Sequence, residues 1–126
     1  LAKNGSLISV IPKFFKNKID VIKSKKEIVT EDLFDRKKIM IKNSDIFIAL
    51  PGGFGTLDEV FELIALNQLS LINKKIIILD INNFWYSLKR LIKDLKKNGF
   101  LYTSKNKNII FKNSISKVIE FIENSF

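Results

Sequence analysis

The chain contains no cysteine and no histidine. The first absence excludes a disulfide framework and thiol chemistry. The second removes imidazole acid–base catalysis and His-based triads, and together they exclude the usual zinc sites. Arginine is confined to Arg36 and Arg90, proline to Pro12 and Pro51, and glycine to 5 positions. No apolar run is long enough to span a bilayer, because Asp45, Lys74 and Lys75 interrupt the best candidates. Any chemistry falls to carboxylates, lysine, the two arginines, hydroxyls or backbone amides.

What is present fits a soluble globular domain. The 126 residues are 46% hydrophobic and 28% charged, enough for one domain with a real core. The net charge of +9 invites a nucleic-acid reading. The cations are nearly all lysine, however, and are spread along the chain. Abundant Ile, Lys and Asn together point to a compositional bias. The runs Lys16–Lys18, Lys23–Lys26 and Lys96–Lys97 read as solvated faces, so neither nucleic acid nor membrane is expected as a partner. The first residue is Leu1, and Ala2 to Gly5 reads as a helix tail closed by Asn4-Gly5. The expectation is a single α/β domain over residues 1–126 whose N-terminal part is missing.

Strand and helix patterns alternate along the chain. Ser6 to Ile11 reads as a buried strand ended by Pro12, and Phe14 to Lys26 as a polar connection. Glu27 to Val29 is a short strand. Thr30 to Asn43 is a helix with Thr30 as N-cap and Glu31 and Asp32 in its first turn. Asp45 to Leu50 is a strand. Thr56 to Leu69 is a helix with Leu57, Val60, Phe61 and Ile64 on one stripe. Lys75 to Asp80 is an apolar strand, Asn83 to Lys97 a helix closed by Asn98-Gly99, and Asn108 to Phe111 a last strand. Ser114 caps a final helix to Asn124. Apolar strands alternating with amphipathic helices predict a Rossmann-like α/β fold, a parallel sheet covered on both faces. The missing N-terminal part would be a βαβ unit.

Three of the glycines, Gly52, Gly53 and Gly55, fall within four positions after Pro51. They join the strand ending at Leu50 to the helix opening at Thr56. Such a turn lets backbone N–H groups approach an anion at a helix N-terminus, so a phosphate-bearing ligand is expected there. Parallel sheets bind ligands outside the carboxyl ends of their strands, and Pro51 to Thr56 occupies such an end. Asp80 to Asn83 is expected on the same edge. Glu59 has two readings. In Thr56-Leu57-Asp58-Glu59 it completes a capping box; alternatively it serves a ligand held by the turn. Three close glycines exceed what a helix start needs, and favour the second. Arg36 and Lys37 sit between the turns marked by Leu33 and Met40, with Phe34 and Ile41 beside them. Two cations at the edge of an apolar stripe either snorkel or meet an anion.

Asp35-Arg36-Lys37, Asp45 to Leu50 and Pro51-Gly52-Gly53-Phe54-Gly55-Thr56-Leu57-Asp58-Glu59 closely resemble the LOG ("Lonely Guy") family. The motif is PGGxGTxxE with an Arg-Lys pair upstream. Val10-Ile11-Pro12-Lys13, Gln68-Leu69 and Asn83 to Leu88 add looser matches, so the resemblance covers nearly the whole chain. It implies a Rossmann-like homodimer, cytoplasmic, without metal or redox cofactor, acting as a cytokinin-activating phosphoribohydrolase. Such an enzyme cleaves the N-glycosidic bond of an N6-modified adenosine 5′-monophosphate to free base and ribose 5-phosphate. By position, Arg36 and Glu59 match the catalytic pair; Lys37, Gly52, Gly53, Gly55 and Thr56 match the nucleotide-binding residues. The surplus apolar residues Leu63 and Leu66 on the helix from Thr56 to Leu69 agree with a dimer.

Some positions depart from the pattern. The upstream glycine-rich motif is absent. Phe34 replaces the usual His, Ala65 stands where Thr is common, and Asp20 is only the nearest carboxylate to a family Glu. These put base specificity in question more than fold. A broader purine nucleoside-5′-monophosphate nucleosidase and a non-catalytic nucleotide- or molybdenum-cofactor-binding relative remain as alternatives. An old "lysine decarboxylase" label carried by many members gains no support from these residues.

Overall fold

A computed structural model of the chain describes residues 5–16, 24–102 and 106–126. The expected helix tail at Ala2 to Asn4 and the carboxylate of Asp20 lie outside the described residues. The chain divides into two compact units, Leu1–Ser44 and Asp45–Phe126. Both are parallel α/β structures, as the alternating pattern requires.

In the first unit, β1 (Ile8–Pro12) pairs in parallel with β2 (Lys26–Thr30), from Ile8 opposite Lys26 to Pro12 opposite Thr30. Helix α1 (Leu33–Asn43) packs on both strands. Thr30 is not the helix N-cap. It is still paired in β2, and its hydroxyl donates to the Asp32 carbonyl at 3.0 Å. Asp32 takes the capping role instead, its carboxylate accepting the Asp35 N–H at 2.8 Å. The apolar stripe expected on α1 is not buried either. No α1 residue is fully buried, and Leu33 and Phe34 are 49% and 70% exposed. A two-stranded sheet is too narrow to cover the whole stripe of an 11-residue helix.

The second unit holds a three-stranded parallel sheet in the order β3 (Ile46–Ala49), β4 (Lys75–Leu79), β5 (Ile109–Lys112). Three helices follow the strands in turn: α2 (Phe54–Gln68), α3 (Tyr86–Lys97) and α4 (Ile115–Glu123). The central strand carries the core. Ile76, Ile77 and Ile78 have no exposed surface. Successive strand side chains point to opposite faces, so both faces of β4 are covered. Ile77 and Leu79 pack with Val118, Phe121 and Ile122 of α4. Helix α2 contacts β4 as well and buries Val60, Leu63 and Ile64.

That buried stripe differs from the expected one. Leu63, read as surplus, is only 4% exposed and belongs to the core; Phe61, placed on the inner stripe, is 38% exposed. The stripe is rotated because Asn67 also faces inward. Its side chain donates to the carbonyls of Leu63 and Lys74 and accepts from the Lys74 N–H, each at 3.0 Å. The Asn108 amide reaches the same Asn67 oxygen and that of Asn73. One buried amide thus fixes the end of α2, the entry to β4 and the entry to β5.

Helix α3 begins later than Asn83. Asn82 and Asn83 have φ of 52° and 57°, left-handed values that cannot continue an α-helix. Residues Ile81–Asn83 form a short 3-10 turn, and the Asp80 carboxylate accepts the Trp85 N–H at 2.7 Å. The other end of α3 closes as expected. Gly99 has φ of 80°, its N–H bonds the Lys96 carbonyl, and the Phe100 N–H reaches Leu95. That is the pairing of a Schellman cap. Ser114 caps α4 through the Lys117 N–H. Among the described residues no helix is long and apolar enough to cross a membrane.

Candidate active site

Strands β3 and β4 lie side by side and parallel, with Ala49 opposite Ile78. Their carboxyl ends therefore share one edge, which brings the glycine turn and Asp80 to the same side of the sheet. Leu50, Pro51 and Gly53 at the turn are exposed.

Helix α2 starts at Phe54, two residues before the expected Thr56, with Gly53 as an N-cap that has no side chain to offer. The first intrahelical bond runs from the Leu57 N–H to the Gly53 carbonyl at 3.1 Å. The N–H groups of Phe54, Gly55 and Thr56 precede that bond, so the helix itself provides them no acceptor. Thr56 is consequently the third helical residue and not the N-cap. The capping box between Thr56 and Glu59 does not form, and Glu59 lies in the second turn.

The three glycines are not equivalent. A Cβ on Gly52 would collide with the Thr56 hydroxyl and lie 3.2 Å from the Thr56 Cβ, so the fold itself requires Gly52. A Cβ on Gly53 or Gly55 would meet nothing within 4 Å. Neither glycine has a positive φ. Their missing side chains leave open space around the exposed N-terminus of α2. Phe54, between them, is 91% exposed.

Glu59 is half-buried. Helical spacing places it on the face of Gly55, four residues back, and of Thr56, three back. Side chains on a helix lean toward its N-terminus, so the bare surface at Gly55 lies on the Glu59 side of the helix. The turn, Thr56 and Glu59 are thus brought together in one unit. Arg36 and Lys37 belong to α1 of the other unit, where both are half-buried. The Arg36 N–H makes the first bond of α1, to the Asp32 carbonyl at 3.2 Å. The Lys37 ammonium stands 5.3 Å from the Phe34 ring centroid. Among the described residues no cluster of three or more Asp or Glu could hold a metal ion.

Asn67 and the Asp80–Trp85 cap escaped the sequence reading. A polar residue within an apolar helical stripe was the available signal for Asn67. For Asp80 it was a carboxylate immediately after the most apolar strand.

A parallel α/β sheet with a glycine turn at a strand's carboxyl end, leading into an uncapped helix, is the arrangement at which Rossmann-like α/β proteins bind their ligands. Comparison with known sequences narrows this. The model of the family described as "possible lysine decarboxylase" matches residues 1–122, and the chain belongs to that family, which includes the LOG proteins. It is 35% identical over 92 residues to cytokinin riboside 5′-monophosphate phosphoribohydrolase LOG4 of Arabidopsis thaliana, covering 73% of this chain and 43% of that protein. It is 29% identical over 120 residues to LOG5 of the same plant, covering 94% and 53%. It is 40% identical over 73 residues to the probable LOG4 enzyme of Oryza sativa subsp. japonica, covering 58% and 32%. The chain thus spans about half the length, or less, of these relatives.

Proposed function

We infer that this chain carries catalytic residues of a nucleotide phosphoribohydrolase. The reaction is hydrolysis of the N-glycosidic bond of an N6-modified adenosine 5′-monophosphate, giving free base and ribose 5-phosphate. The observation that carries the reading is the open space at Gly53 and Gly55 before an uncapped helix, with Glu59 on the same helical face. The names of the relatives supply the substrate class.

In this reading the 5′-phosphate sits against the N–H groups of Phe54, Gly55 and Thr56. The helix dipole adds to the attraction, and the binding energy fixes the ribose for reaction. Cleavage of the glycosidic bond develops positive charge on the ribose ring. The Glu59 carboxylate stabilises that charge and takes a proton from the attacking water. The departing purine gains negative charge, and the family resemblance alone assigns Arg36 to offset it and Lys37 to bind the nucleotide. No cofactor enters these steps. The assembly is proposed as a homodimer, as the family resemblance implies.

The test is product analysis with the full-length protein on AMP and isopentenyl-AMP. Release of free base and ribose 5-phosphate, faster from isopentenyl-AMP, is the expected result. Equal rates on both would favour the broader nucleosidase. No base release from either would overturn the reading.

A further inference from the structure

A polar cavity of about 300 Å³ lies at the carboxyl ends of β4 and β5. It is lined by Asp80 after β4, Asn83 of the 3-10 turn, Lys89 of α3, Lys112 at the end of β5 and Lys117 of α4. A larger cavity of about 980 Å³ shares Asp80, Asn83 and Lys89 and continues along α3 past Arg90 and Lys93. The lining of the smaller cavity shares no residue with the glycine turn, which follows the neighbouring strand β3.

The lining has a defined chemistry. Lys89, Lys112 and Lys117 line it from three different elements, and none has a carboxylate partner among the described residues. Lys89 and Lys112 lie over the rings of Phe111 and Phe121, at 5.4 and 5.2 Å from the centroids. Unpaired cations around a concave surface focus a positive potential and attract anions. Asp80 adds an acceptor of opposite charge. It is 7% exposed, and one carboxylate oxygen accepts the Trp85 N–H. Its other oxygen takes no donor from the described residues and is not a buried orphan, so it is open to water or to a donor on a ligand. A bare phosphate would be repelled by this carboxylate. A ligand that brings hydroxyl donors to Asp80 and an anionic group to the lysines would satisfy both. Asn83 supplies an amide that serves either group.

We propose that this cavity binds a sugar phosphate, its hydroxyls on Asp80 and Asn83 and its phosphate on Lys112 and Lys117. Lysine is a compact point charge suited to phosphate. The site is independent of the reaction inferred above and does not require it.

The experiment is amide NMR titration of the full-length protein with ribose 5-phosphate, ribose and inorganic phosphate. Ribose 5-phosphate should perturb Asn83, Lys112 and Asn113, at least tenfold more tightly than either ribose or phosphate. Lys112→Gln with Lys117→Gln should weaken it at least tenfold. Lys117 is exposed, so Lys117→Gln alone gives a folded variant if the pair does not. Gly55→Ala, at the other end of the sheet edge, should leave these perturbations unchanged whether or not the protein releases base from nucleotides. Three results would each overturn the proposal: inorganic phosphate binding as well as ribose 5-phosphate, perturbations confined to the glycine turn and lost in Gly55→Ala, or affinity unaltered by the lysine changes.

Discussion

Gly55→Ala separates a structural glycine from one kept bare for a ligand. Gly55 is the second residue of α2, and a methyl group there meets no atom within 4 Å. Glycine within a helix is less stable than alanine by roughly 0.5–1 kcal/mol, because it loses more backbone freedom on folding. The substitution should therefore stabilise the protein, by about 0.5 kcal/mol given its place in the first turn. Thermal unfolding should move up by a degree or more. Activity should move the other way. The methyl group would stand over the N–H groups assigned to the 5′-phosphate. Loss of one charge-assisted hydrogen bond costs about 1.5–3 kcal/mol, roughly a 10- to 150-fold drop in kcat/KM on nucleoside monophosphates. Nucleosides have no phosphate to lose, so the ratio of the two specificity constants should fall with it. The assay is steady-state kinetics on AMP-type and adenosine-type substrates, beside a thermal melt. A Gly55→Ala protein that is at least as stable as the parent, with unchanged kcat/KM on monophosphates, would refute the argument. The open space would then have no ligand to admit.

Glu59→Gln should keep the helix and lose turnover on the order of 10²-fold, since an amide neither stabilises the ribose charge nor accepts a proton; near-normal kcat in the folded variant would exclude a catalytic role. Gly52→Ala is the converse of Gly55→Ala. It forces the Thr56 side chain from its position, and denaturant unfolding should show a loss of about 1 kcal/mol. Asn67→Leu leaves the Lys74 N–H and carbonyl without their buried partner and should cost about 2–3 kcal/mol on the same measurement. Sedimentation of the active full-length protein should give a dimer; an active monomer would remove that part of the proposal.

Much of this architecture was legible because it depends on features a single sequence carries. The run Ile76-Ile77-Ile78 has no polar alternation, and only a strand covered on both faces accommodates it. Asn98-Gly99 and Ser114 are end signals that act through their own backbone and hydroxyl, and both work as read. The errors fall where the choice depends on neighbours. Thr30 and Asp32 are both competent caps; β2 pairing with Pro12 keeps Thr30 in the strand and passes the cap to Asp32. The inward rotation of α2 is decided by Asn67, whose partners Lys74 and Asn108 are 7 and 41 residues away. No local pattern of apolar residues encodes that. Asn82 and Asn83 break α3 through backbone conformations that asparagine tolerates but does not announce.

The candidate site was read from the sequence for a different reason, and the earlier helix start removes one rival to that reading. Glu59 could be dismissed as a capping residue only while Thr56 was the N-cap. With Gly53 in that place the cap offers no side chain, and the motif's Glu lies too far along the helix to reciprocate. The glycines then divide by cause. Gly52 answers to Thr56, a contact within the protein. Gly53 and Gly55 answer to nothing within it, and Gly55 sits where alanine would be the more stable choice. A less stable residue at a bare helix end, with a carboxylate four residues on along the same face, is the arrangement the proposed ligand site would explain. On the proposed reading, a phosphate ester attached to a reactive ribose would fit that site at both points, the anion at the turn and the developing cation at Glu59.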